Sequence, residues 1–410
     1  MIRPVDGGTA AAHQQAPFAF GARLALLYSA IFFHVGLYLP YFPLWLKARG
    51  LTATQISVVL SLPLIIRVLT SGQITAQADR ASDRVNVVIA LYFLCALSAS
   101  AYLVAGSFWP IFIVTACYAV FFNPIVPVLD SLTLSGVRRF GADYGRIRLW
   151  GSLVFVLANI GGGLILAGRD VETVLIILVV SAAGGALLSP LLPRIGRPRN
   201  VLTPAGLADA TTWRLLTDRR FLLVMLASGI LQASHAMIYG FGSIYWQSLG
   251  YSGAVIGALW AVGVSAEIVL FQFSRHVLGR TGAFALIAIG GAGAVLRWTL
   301  MPLEPPLGGF FMLQVLHGLS FGAVHLGTMH FLAETVAEER MGAAQGASFV
   351  LGGLAMAVAV FSSGPIYAAF GVKGFLVMAL ASCAALGMLA LSRGHQPHSS
   401  RAGGETSAGE

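Results

Sequence analysis

The chain has 410 residues, of which 57% are hydrophobic and only 10% charged, with a strongly positive mean hydropathy, whereas an ordinary soluble domain carries roughly a quarter charged residues. That composition excludes a water-soluble fold for most of the length, and apolar runs that are hydrophobic on every face, rather than alternating, exclude a membrane β-barrel. The net charge of +9 does not point to nucleic acid, because the basic residues fall into a topological pattern described below.

Taken in chain order, the apolar runs predict twelve transmembrane helices, near 20–46, 53–76, 85–106, 110–136, 147–167, 172–192, 220–246, 253–274, 283–302, 307–333, 342–370 and 372–392. Each is close to the roughly 20 residues that cross a bilayer as a helix. The first run is longer than a signal-peptide core and ends among Trp45, Lys47 and Arg49, so it is expected to stay as the first span. Nineteen of the 25 Lys and Arg fall in the termini and alternate loops, while the opposite loops hold only Lys47, Arg49, Arg169 and Lys373. By the positive-inside rule both termini are expected on the cytoplasmic side of the membrane. Cys95, Cys117 and Cys383 lie within apolar runs and are expected to be small buried hydrophobes with no redox or metal role. No metal-ligand spacing occurs, and no cofactor is expected.

Between Pro193 and Arg219 hydropathy lapses into the polar stretch containing R-I-G-R-P-R-N. This gives an N-terminal six-helix bundle (1–192), a cytoplasmic connector (193–219), a C-terminal six-helix bundle (220–393) and a tail (394–410) whose composition is that of a disordered segment. The halves match at an offset of 200: G-L-T-A-T-Q-I-S-V-V-L from Gly50 lies over G-Y-S-G-A-V-I-G-A-L-W from Gly250, and Arg80 lies over Arg280. Parallel six-helix repeats of this kind resemble the major facilitator fold, an all-α membrane protein of two six-helix bundles. The loop after the second span, T-A-Q-A-D-R-A-S, is similar to that family's loop motif with its glycines replaced by Thr75 and Ser82. Asp79 and Arg80 remain, and the resemblance implies a conformational role for this loop, with Arg280 as its counterpart.

An ionisable side chain at membrane depth costs roughly 2.5–3.5 kcal/mol on insertion scales, so it marks function by default. Arg67, Asp130, Glu267 and Arg297 are so placed, and the 200-residue offset relates Arg67 to Glu267. The string A-D-Y-G-R-I-R-L-W-G-S (142–152) resembles the fifth-helix entrance of the lactose permease branch and, more closely, of the bacterial 3-phenylpropionic acid transporter family. Y-G-F-G-S-I-Y-W-Q (239–247) and S-A-E-I-V-L-F (265–271) look like that family too. The resemblance implies a substrate pair of Asp130 and Arg148. It further implies that Glu267, Arg297 and His317 handle the proton, although Ser320 stands where the permease carries its proton-bearing acid. Glu267 is therefore the replacement candidate: a carboxyl in an apolar cavity changes its proton affinity when a substrate competes for a nearby arginine.

His34, His235, His325 and His330 also fall in the spans. Tyr38, Tyr41, Trp45, Tyr239, Tyr245 and Trp246 cluster toward the ends of spans one and seven, and most are expected in the interfacial belt. Tyr38 and Tyr239 lie deeper, where an apolar ring would stack on them, and with His34 and His235 they complete the substrate-site candidates. Span five lacks the Gly-Pro motif of drug-exporting antiporters, and the loops are too short for a separate catalytic domain, which disfavours an enzyme. The resulting expectation is a monomeric, proton-coupled symporter of a small aromatic carboxylate such as 3-phenylpropionate, its partners being substrate, protons and lipid. A sugar or nucleoside symporter is the alternative, because Asp130 and Arg148 would equally hydrogen-bond hydroxyl groups.

Overall fold

The computed structural model describes residues 16–196, 217–337 and 340–393. Most of the expected connector (197–216) and the tail (394–410) lie outside the described residues. Among these residues regular structure is helical throughout, with no strand. Eleven helical stretches are long and apolar enough to cross a membrane. The last, Ala344–Arg393, is 50 residues long and contains two helices, Met341–Phe370 and Phe375–Arg393, broken at Gly371 where φ is +56°. Twelve crossings result, as the hydropathy predicted.

The first six are Phe20–Ala48, Ala53–Arg80, Arg84–Val104, Phe108–Phe140, Tyr144–Leu166 and Glu172–Leu191. Then come Arg219–Ser248, Gly253–Gln272, His276–Leu303 and Leu307–Thr335. Breaks within spans have local causes. Span four interrupts at Asn123–Pro124 between helices ending at Phe122 and beginning at Ile125, since proline cannot continue the backbone ladder. Span ten contains a π-helical turn, Gly318–Ala323, a device that often marks functional positions.

The internal repeat is visible in backbone hydrogen bonds. Gly50 N–H donates to Lys47 O (2.9 Å) and Gly250 N–H to Gln247 O (3.0 Å), while Leu51 donates to Leu46 and Tyr251 to Trp246, both at 3.2 Å. Both glycines sit at positive φ, +77° and +82°, the left-handed conformation that closes a helix and that glycine adopts without a Cβ penalty. One helix-ending turn is thus used twice, 200 residues apart.

Two compact units emerge. The first comprises described residues 16–196, 236–265 and 357–371; the second comprises 217–235, 266–356 and 372–393. In the first, backbones meet through glycine. A Cβ on Gly257 would lie 2.2 Å from Asn159 O and 2.5 Å from the Tyr41 hydroxyl, and one on Gly163 would lie 2.3 Å from Gly253 O. Ser57 Oγ donates to Phe361 O at 2.9 Å. Small residues at such crossings let helices gain dispersion contacts that lipid cannot supply. Gly257→Val has no room against a backbone carbonyl, so it is expected to destabilise this unit by at least about 1–3 kcal/mol, measured as a lower unfolding midpoint in detergent.

Two expectations are corrected here. Tyr41, Trp45, Tyr245 and Trp246 are at most 1% exposed and pack inside the first unit rather than in an interfacial belt. Two of the polar tips are satisfied internally: the Tyr41 hydroxyl donates to Asn159 O and Trp45 Nε1 to Glu172 Oε2 at 3.2 Å. Of the cysteines only Cys95 is buried, while Cys117 and Cys383 are exposed. In a membrane protein the outward surface is as apolar as the interior, so hydropathy does not separate the two.

Candidate functional sites in the two units

In the first unit, the entry of span five is fixed by Asp143, whose carboxylate accepts from Arg146 N–H at 3.0 Å as an N-cap. The helix then directs its two arginines apart. Arg146 is exposed and pairs with Asp143 at 3.3 Å, whereas Arg148 lies inward, its guanidinium 4.0 Å from the centre of the Phe32 ring and 5.2 Å from that of Tyr28. Gly151 makes this stacking possible, because a Cβ there would lie 2.8 Å from Phe32 and 3.2 Å from Arg148 NH1. Asp130 is engaged separately: the Tyr28 and Tyr144 hydroxyls both donate to its Oδ1, the latter at 3.0 Å. Among the described residues no carboxylate lies within 4.0 Å of Arg148. The two residues expected to act together therefore occupy one neighbourhood through shared Tyr28, not through an ion pair. A guanidinium that meets the Tyr144 hydroxyl and an aromatic wall, but no carboxylate among the described residues, is a ready receptor for a carboxylate.

The second unit holds a denser polar cluster. Arg297 is 1% exposed and donates through NH1 to His317 Nδ1 (3.1 Å) and Ser320 Oγ (3.1 Å), and through NH2 to Gln314 Oε1 (2.8 Å). A guanidinium only donates, so His317 Nδ1 accepts and its N–H sits at Nε2, facing Glu267 Oε2 at 3.7 Å. His235 Nδ1 donates to Gln232 O (3.1 Å), and its Nε2 shares a hydrogen bond with Ser320 Oγ at 3.1 Å. The obligate donor Arg297 thus fixes the His317 imidazole as a neutral ring with its proton on Nε2. The π-helical turn begins immediately after His317, and its wider backbone places His317 and Ser320 together on Arg297. Glu267 has no arginine within ion-pair distance among the described residues; its ionic neighbour is His317.

The remaining candidates separate. His34 bridges Ser181 Oγ (2.7 Å) and the Tyr118 hydroxyl (2.6 Å) within the first unit, stacked near Tyr38. Tyr38 also stacks on Phe42 at 4.5 Å, and its buried hydroxyl has no hydrogen-bond partner. Tyr239 stacks on Trp260 at 6.1 Å. Arg67 is half-buried in span two of the first unit, and its offset mate Glu267 belongs to the second. In the loop motif, Asp79 pairs with buried Arg84 (3.2 Å) and accepts from Ser131 Oγ (2.9 Å), while Arg80 and Arg280 are exposed. His330 pairs with Glu334 at 2.9 Å, and His325 is exposed beside Phe271. Tyr28, Phe32, Tyr144 and Gly151 around Arg148, and Gln314 around Arg297, were not among the sequence candidates; Tyr28, Phe32 and Gln314 lie on other helices than the arginines they meet, so no spacing in the sequence signals them.

Residues 22–377 match the MFS_1-like family. The chain is 33% identical over 371 residues, 88% of its length and 95% of the relative's, to a probable 3-phenylpropionic acid transporter of Escherichia coli. It is 27% identical to a maltose permease of Geobacillus stearothermophilus, over 72% of this chain and 75% of that one. The fold matches a crystal structure of the nucleoside transporter NupG with a TM-score of 0.82, at 16% identity, across 92% of this chain and 100% of that chain.

Proposed function

The chain belongs to the MFS_1-like family of major facilitator transporters, and from that premise we propose that it is a proton-coupled symporter importing a small aromatic carboxylate such as 3-phenylpropionate by alternating access. The observation that carries this reading is Arg148. Among the described residues no carboxylate neutralises it, and it lies against Phe32 and Tyr28. A substrate with a carboxylate on an apolar aromatic body would satisfy both features together. Asp130 stays with its tyrosine hydroxyls and sets the local charge without occupying the guanidinium.

In the second unit, Glu267 is the proton carrier in this reading. Arg297 is held by neutral acceptors, so the Glu267 carboxyl is not locked in its charged form by a permanent ion pair. His317 Nε2 lies 3.7 Å from Glu267 Oε2 and connects the carboxyl to Arg297 through its other ring nitrogen. Proton and substrate then assist each other's binding through linkage. In this reading the chain works as a monomer in a bacterial inner membrane with both termini cytoplasmic, an orientation that the distribution of basic residues supports.

The test is the pH outside de-energised vesicles when 3-phenylpropionate is added, with protein-free vesicles as control because weak acids cross lipid unaided. Protein-dependent alkalinisation is the expected result. If maltose or a nucleoside produces it and 3-phenylpropionate does not, the substrate assignment passes to the sugar or nucleoside class, where the Asp130 cluster would serve hydroxyl groups.

A further inference from the structure

A groove of about 730 Å³ opens on the first unit between the end of span five and the start of span six. Its walls are Leu164, Ile165, Ile176 and Ile177, with Arg169 and Thr173 at one end. The walls are apolar and poorly covered by protein: Leu164 is 62% and Ile176 54% exposed. At membrane depth that surface meets acyl chains, and a cleft between two helices accepts a chain lengthwise.

The end of the groove is not apolar. Arg169 is exposed, and its side chain has no hydrogen bond or ion pair to any described residue; the one bond it makes is through its backbone N–H, to Leu166 O. Asp170 follows it, also exposed, and its carboxylate makes only a long contact of 3.4 Å with the Glu172 N–H. The two do not pair with each other. Nearby Glu172 is already committed, accepting from Arg49 at 2.8 Å and Trp45 at 3.2 Å. The groove therefore ends on a cation with no side-chain partner among the described residues, and the next residue in the chain, Asp170, though not itself a wall of the groove, adds an exposed anion.

We propose that this groove is a phospholipid site, taking one acyl chain along its walls and a headgroup that carries both a phosphate and a cationic amine. Arg169 and the Thr173 hydroxyl bind the phosphate, and Asp170 binds the amine. A purely anionic headgroup would satisfy Arg169 but meet Asp170 with like charge, so the charge pattern selects the zwitterionic class. The assignment does not depend on what the protein transports.

Native mass spectrometry of the full-length protein, released from mixed micelles containing equal phosphatidylethanolamine and phosphatidylglycerol, tests it. The wild type is expected to retain one phosphatidylethanolamine over phosphatidylglycerol by roughly fivefold, the size of one charge contact at a membrane surface. Arg169→Gln is expected to remove that retention, and Asp170→Asn to shift it toward phosphatidylglycerol. Both positions are exposed loop residues, and an unchanged unfolding midpoint confirms that each variant is folded. Equal retention of the two lipids by the wild type, or a preference that survives Arg169→Gln, overturns the proposal.

Discussion

Arg148→Gln is expected to abolish measurable binding of 3-phenylpropionate, and Arg148→Lys to restore little of it. Removing one member of a buried charge pair costs about 2–5 kcal/mol, which is a loss of affinity from about thirtyfold to several thousandfold. Lysine keeps the charge but not the planar fork or the face that lies 4.0 Å from Phe32, so it can neither bind a carboxylate bidentately nor stack in the same place. Equilibrium binding to purified protein measures this without any proton gradient. The neighbouring Arg146 supplies the control, since it is exposed and paired with Asp143; Arg146→Gln should leave affinity within about twofold, the range of a surface ion pair. A loss at Arg148→Gln smaller than about tenfold would move the carboxylate to another cation, Arg297 first.

The chain announced its membrane architecture in composition alone, because each span must satisfy its own backbone and therefore reads as a continuous apolar run. The offset between the halves was legible for the same physical reason that Gly50 and Gly250 recur: a turn that needs positive φ constrains the letter. Charged residues at membrane depth stood out singly, but their partners did not. Asp130 and Arg148 looked like an ion pair, whereas Tyr28 and Tyr144 occupy the carboxylate and Phe32 occupies the guanidinium face. Tyrosine and phenylalanine carry no formal charge and are abundant in every span, so nothing in the string distinguishes these three from packing residues. His34 illustrates the converse, being conspicuous in sequence and bound on both ring nitrogens by Ser181 and Tyr118. The divided course of spans seven, eight and eleven between the two units was invisible as well, since hydropathy reports depth in the membrane and not lateral neighbours.

Glu267→Gln is expected to end uphill accumulation while leaving substrate exchange across the membrane close to wild type. Glutamine has the shape of the protonated carboxyl and cannot release a proton, so a carrier with it sits permanently in the loaded-proton form. Exchange requires only that a substrate-loaded carrier reorient, whereas net symport requires it to return empty and deprotonated. Glu267 is suited to this division because among the described residues no arginine holds it; its contact is the Nε2–H of His317 at 3.7 Å, whose orientation is set by Arg297 on the other ring nitrogen. Two measurements on the same vesicles separate the steps: proton-driven uptake should fall to the level set by the substrate's own equilibration, and counterflow of labelled substrate should stay within about threefold of wild type, less than 1 kcal/mol in the reorienting step. Failure of both would indicate lost binding or folding, which equilibrium binding to Arg148 would expose. Accumulation that survives the substitution would instead place the proton on Asp130 or on a histidine, and of the histidines His317 is the first to exchange for glutamine, because it alone joins the carboxylate to the arginine.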